Sequence, residues 1–144
     1  MTEKLEHVQR LVFKARNDLR SAQDLMQTPS PATDVVCFHC QQAVEKMLKA
    51  WLHWHEISVQ RTHNLAEIVE LCKRIDPAFA QLQGVEVLAP YAVEVRYADD
   101  FYFPPMEEAD EAVLLAEQAE RFVLSRFEEL GIDPIRDSFN NSGP

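Results

Sequence analysis

A chain of 144 residues, 47% apolar and with only 3 Gly, encloses one core rather than two, and its long periodic segments favour an all-α bundle over a sheet protein. Its 14 Lys and Arg stand against 24 Asp and Glu, a net charge of -10. Nucleic-acid binding works by neutralising phosphates with cations, so a general nucleic-acid binder is excluded and DNA is not an expected partner.

The opening MTEKLEHVQR is charged and amphipathic, which fits neither a secretory signal nor an anchor. No apolar run approaches the roughly 20 residues that span a bilayer, so no membrane association is expected. An odd count of three Cys fits reduced, buried thiols, and a cytoplasmic protein is expected. The charge is uneven: residues 1–55 hold seven Lys/Arg against six acids, residues 56–103 four against eight, and residues 104–144 three against ten. Such an acidic flank suits docking of a basic partner.

The expected architecture is an up-and-down bundle of four long or medium helices with one or two short ones. It fills residues 1–130, and residues 131–144 form a loosely held tail. The first helix is placed at residues 3–26, with Leu5, Val8, Leu11, Val12, Ala15, Leu19, Ala22 and Leu25 as its apolar stripe. Its cations Lys4, Arg10, Lys14, Arg16 and Arg20 read as a solvated face, with a phosphate-binding face as the alternative. The prolines of Thr28-Pro29-Ser30-Pro31 then break the helix.

Residues 34–55 form the central helix. Val36, Cys40, Ala43, Met47, Ala50 and Trp54 recur at helical spacing, and Phe38, Val44, Leu48, Trp51 and Leu52 widen the stripe past one face, so burial on several sides is expected. At about 1.5 Å per residue it runs roughly 33 Å, the length of a small bundle. Thr62 or Asn64 caps a third helix, whose buried face is Leu65, Ile68, Val69, Cys72 and Ile75. Asp76-Pro77 opens a short helix that reaches Leu82 and ends at Gly84.

Residues 85–97 are ambiguous, because Val93, Val95 and Tyr97 alternate as a strand would. A lone strand has no partner, so a short helix over residues 90–95 is preferred, followed by an aromatic loop at 101–105. The last helix starts near Met106, where Glu107, Glu108, Asp110 and Glu111 suit the positive helix N-terminus, and Gly131 ends it.

Two thiols three residues apart, Cys37 and Cys40, could form a metal or redox pair. A redox pair normally starts a helix after a strand, and no second paired spacing completes a zinc set, so small core residues is the preferred reading, with no metal and no cofactor. His39, Gln41, Gln42, Glu45 and Lys46 interrupt the apolar surface of the central helix, so they either find internal partners or face a cleft.

The string FHCQQAVEKMLKAWL, followed by Thr62-His63-Asn64-Leu65 and by Val95-Arg96-Tyr97, resembles the bacterial and archaeal branch of the HEPN family. The resemblance runs over residues 5–127. It implies an all-helical, commonly dimeric protein. Many members are RNase toxins with an Arg-x(4-6)-His motif, and many accompany a small nucleotidyltransferase that acts as antitoxin. In such nucleases the Arg stabilises charge on the scissile phosphate and the His moves a proton, a division that needs one permanent cation and one group titrating near neutrality.

Arg96 matches the motif Arg, but Phe101, Tyr102 and Phe103 occupy the positions of the motif histidine. Tyr102 has an ordinary pKa of about 10 and is a poor base at neutral pH. Asp99 and Asp100 repel a phosphodiester, and Asp99 is equally readable as an ion-pair partner that fixes Arg96. The candidate catalytic set is therefore Arg96, Tyr102 and Asp99, and the candidate nucleotide- or partner-binding set is His39, Gln42, Lys46, His63 and Arg96.

Two functions remain open. One is a HEPN component of a toxin–antitoxin-type system with a degenerate motif, a homodimer associated with a nucleotidyltransferase and with a nucleotide. The other is a metal-independent endoribonuclease toxin in which Arg96 works with a substitute base, RNA being the substrate.

Overall fold

The helix Thr33–Trp54 (α2) has thirteen buried residues along its length, and no single neighbour could cover them all. The computed structural model describes residues 2–59, 61–82, 84–92 and 102–139. In it α2 is enclosed by Thr2–Met26 (α1), Leu65–Ile75 (α3) and Met106–Glu129 (α4), together with the second of two 3-10 helices, Pro77–Leu82 and Val85–Ala92. The protein is an all-α helical bundle, and no strand occurs among the described residues. No helix among them is long and apolar enough to cross a membrane.

Side-chain pairs fix the directions. His7 meets His53 and Asp18 meets His39, so α1 runs antiparallel to α2. Gln23 meets Glu117 and Arg16 meets Glu120, so α1 is antiparallel to α4 as well. Thr33 and Pro104 touch at one end and Trp51 and Phe127 at the other, so α2 and α4 are parallel. The segment between them carries the chain back to the end of the bundle where α2 began.

The core is continuous along α2. Val8, Val12, Ala15, Leu19 and Ala22 of α1 face it from one side, and Ala109, Ala112, Ala116, Ala119, Val123 and Phe127 of α4 from another. The small residues of α4 let its backbone approach closely, and the large rings collect at the far end. There Trp51 lies 5.2 Å from Phe79 and 5.1 Å from Phe127, and Phe79 lies 4.9 Å edge-on to Phe122.

Both tryptophans belong to the widened stripe of the central helix, for which burial on several sides is expected. Trp51 is only 3% exposed, and Trp54 is partly buried beneath the Lys4 ammonium, 4.1 Å from its ring centre. The bundle therefore consumes them itself.

The helix ends follow local chemistry. Asn64 rather than Thr62 is the cap of α3, its side chain accepting from the Glu67 N–H at 3.2 Å. Asp76 accepts from the Ala78 N–H at 3.0 Å, which starts the first 3-10 helix at Pro77. The second 3-10 helix begins at Val85, earlier than the expected short helix at Pro90, because Gly84 at φ 108° turns the chain there and the Val87 N–H bonds back to its carbonyl. The expected helical residues 93–95 lie outside the described ones.

The α2 and α4 C-termini close with the same pair of bonds. Gly131 and Ile132 donate to the carbonyls of Glu128 and Phe127, and Glu56 and Ile57 donate to those of His53 and Leu52. Gly131 takes φ 71° at no steric cost, but Glu56 is a non-glycine residue at φ 65°. The residues after Gly131, expected as a loose tail, make several contacts. Ile132 and Ile135 pack against the core, Gln9 Nε2 donates to the Asp133 carbonyl at 3.1 Å, and Phe139 meets Phe13 edge-on at 5.2 Å.

Phe79→Ala should cost about 3–5 kcal/mol in denaturant unfolding, since it removes a fully buried ring from this cluster. Glu56→Gly should raise stability by about 0.5–1 kcal/mol and Gly131→Ala should lower it by a similar amount, because a left-handed residue favours glycine at both ends. Equal effects of either sign at the two sites would contradict a shared cap geometry.

Candidate functional site

The polar residues of α2 divide into two groups, each organised by one carboxylate. His39, Gln42 and Lys46 lie three to four residues apart and so share a face, directed toward α1. Asp18 of α1 receives two of them: His39 Nδ1 at 2.9 Å on one oxygen and Lys46 Nζ on the other. A carboxylate only accepts here, so Nδ1 of His39 carries the hydrogen. Asp18 went unrecognised in the sequence, although it shares the helical face of Ala15, Leu19 and Ala22, where an acid must have a partner.

The second group is centred on Glu45, whose side chain is 6% exposed. It accepts from Gln41 Nε2 at 2.9 Å, from Lys49 Nζ at 3.0 Å and from His63 Nδ1 at 2.9 Å. Gln42 extends the network by donating to the Gln41 amide oxygen at 2.6 Å. Burial alone would raise the pKa of Glu45, but the bonds from Gln41, Lys49 and His63 and the charge of Lys49 outweigh it and hold the carboxyl below its ordinary value. His63 sits just before the α3 cap and is 63% exposed, so its ring is fixed on one side and open on the other.

Beside Glu45, Lys46 and Lys49 lies a cleft of about 250 Å³, closed by His7, His53, Leu11, Ile57 and Val59. His7 and His53 stack face to face with ring centres 3.8 Å apart. Burial, then the neighbouring His7 and Lys4, lowers the pKa of His53. His55 is lowered by burial and Lys4 against the opposing pull of Asp76. The His55 ring packs 4.5 Å from Trp51, and His55 Nε2 and Trp51 Nε1 are buried polar atoms without a hydrogen-bond partner among the described residues.

Of the expected catalytic set, Arg96 and Asp99 lie outside the described residues. Tyr102 is half exposed, and its hydroxyl donates to Glu108 Oε2 in the first turn of α4. Nearby, the buried Thr33 hydroxyl donates to the Pro104 carbonyl, tying the start of α2 to the chain entering α4. The expected binding set is brought together only in part. His39 and Lys46 meet on Asp18, whereas Gln42, through Gln41, and His63 meet on Glu45.

The thiols of Cys37, Cys40 and Cys72 are all fully buried. Desolvation, with acidic neighbours for Cys37, pushes Cys37 and Cys72 up to about 12 and Cys40 further. In the native state all three should react slowly with an aromatic disulfide reagent and rapidly after denaturation.

Glu45→Ala leaves the Lys49 charge uncompensated in a nearly dry position and should cost roughly 3–5 kcal/mol. The pH dependence has a definite sign. The depressed pKa values of His53 and His55 contribute stability that is complete above their unfolded value of 6.5 and is lost as pH falls below it. Glu45 contributes stability that is present above 4.5 and lost on further acidification. Chemical denaturation from pH 7 downward should show both losses, and His55→Phe should flatten the upper one.

The sequence profile of the HEPN domain matches residues 8–129, which covers all four long helices and both carboxylate networks. No curated protein and no solved structure matches the chain. With the profile spanning most of its length over an all-helical bundle, the chain belongs to the HEPN family.

Proposed function

We propose that this HEPN protein is the non-cleaving member of a toxin–antitoxin-type pair, a homodimer that works with a small nucleotidyltransferase. The observation that carries the reading is the state of Tyr102. It stands within the spacing where the family's nucleases place their histidine, and its hydroxyl is bound to the Glu108 carboxylate. A phenol whose hydroxyl already donates to a carboxylate is engaged by that bond and is not placed to take a proton from a ribose hydroxyl. His39 and Lys46 are likewise committed to Asp18.

The surface of α4 supports the partners. Phe103, Met106 and Leu114 are exposed apolar side chains at its start and along it, of which Phe103 is 52% and Leu114 55% exposed. These exposed side chains suit a second copy, and the acidic residues among them, Asp110 included, suit a basic partner. A nucleotide is best placed at the cleft beside Lys46 and Lys49, where each ammonium spends one bond on Asp18 or Glu45 and keeps further N–H donors for a phosphate, and the His7–His53 stack offers a flat face.

A second reading, a metal-independent endoribonuclease, is favoured by His63. An imidazole held at Nδ1 by a carboxylate and open to solvent is the arrangement of a general base, and Arg96 would supply the charge.

Purified protein should leave RNA intact under conditions where a known RNase cleaves it. Cleavage abolished by both Arg96→Ala and His63→Ala would overturn the non-cleaving reading and establish the second. Light scattering at micromolar concentration should give twice the 16.6 kDa chain mass, and Leu114→Asp should give the single chain. A monomeric unmodified protein would refute the dimer.

A further inference from the structure

Between α1, α4 and residues 135–137 lies a groove of about 350 Å³. Its floor is apolar, made by Val12 and Leu19, with the Phe13 ring braced at its edge by Phe139. Three guanidinium groups, those of Arg16, Arg20 and Arg136, line it from two separate parts of the chain.

These arginines are weakly paired, in contrast to others in the protein. Arg126 meets Asp76 at 2.7 Å and Glu129 at 3.0 Å, and Arg10 meets Glu6 at 2.7 Å. In the groove, Arg16 reaches Glu120 only at 3.5 Å and Arg136 reaches Glu6 only at 3.9 Å. Arg20 donates to the neutral amide oxygen of Asn17 at 2.7 Å. A guanidinium has five N–H donors, so among the described residues most of those in this groove have no protein acceptor. Arg136 also lies flat over Phe139, 4.6 Å from the ring centre, which directs its fork.

We propose that this groove binds a small aromatic phosphate monoester, its phosphate held by Arg16, Arg20 and Arg136 and its ring seated against Phe13 and Leu19. A phosphate monoester carries about two negative charges and three strong acceptor oxygens, which match three converging forks better than a carboxylate does. The size selects further. Pockets for drug-sized ligands begin near 300 Å³, so this one accommodates a ring with one phosphate rather than a polynucleotide, which the acidic surroundings would also repel. Glu120 and Asp137 are the opposing charges. Burial raises the pKa of Glu120 against the pull of Arg16, which it meets only at 3.5 Å. The site is separate from the Asp18 and Glu45 networks and does not depend on the partner reading above.

The test is a titration of the isotope-labelled full chain with phenyl phosphate, with benzoate as comparator, followed by nuclear magnetic resonance. Phenyl phosphate should saturably shift the side-chain amides of Asn17 and Gln23 and bind about tenfold more tightly than benzoate. Arg20→Ala should weaken it on the order of tenfold, the loss expected for one charge-assisted hydrogen bond, with Arg20→Lys in between. Unchanged thermal melts will show that both variants keep the fold. Absence of a saturable shift, equal affinity for benzoate, or indifference to both Arg20 substitutions would overturn the assignment.

Discussion

Burying α2 among three other helices requires the charged and amide side chains on its covered faces to find partners within the protein, and Asp18 and Glu45 are where those requirements meet. An unpaired charge at low dielectric costs several kcal/mol, more than most single contacts return. Asp18 therefore holds α1 to α2 through His39 and Lys46, and Glu45 holds the start of α3 to α2 through His63. The apolar stripes supply most of the driving force but tolerate sliding. The two carboxylates set which residues of neighbouring helices stand opposite one another.

This arrangement clarifies what the most recognisable part of the sequence does. The polar positions of the FHCQQAVEK string are mostly turned inward, and their partners lie on other elements. A string that distinctive invites a catalytic reading, yet its residues act mainly on the bundle's register. The elements open to solvent are different ones: the face of His63 away from Glu45, the Lys46–Lys49 cleft, and the exposed apolar side chains of α4.

Much of the fold was legible because helical periodicity and caps are local. The four long helices, the Asn64 cap, the Asp76-Pro77 start and the Gly131 stop all follow from residues within a few positions of one another. What was not legible was non-local. Burial of Trp51 followed from the width of the stripe, but periodicity does not reveal that Phe79, Phe127 and His55 are what close around it. Asp18 looked like one more charge on a solvated helix, although its place beside Ala15 and Ala22 was the available signal. The 3-10 helix at Val85–Ala92 was placed too late because the alternation of Val93, Val95 and Tyr97, which lies beyond it, dominated the reading of residues 85–97. For the site, Tyr102 could be named from spacing, but its bond to Glu108 depends on how α4 begins.

The bond from Thr33 to the Pro104 carbonyl ties the chain entering α4 back to α2. It clamps one end of the segment that carries Arg96, and the packing of Val85–Ala92 against α2 clamps the other. Both clamps are made by residues outside that segment. Each end of residues 93–101 is therefore anchored to the same helix, α2, so the chain leaves the bundle and re-enters it along one element.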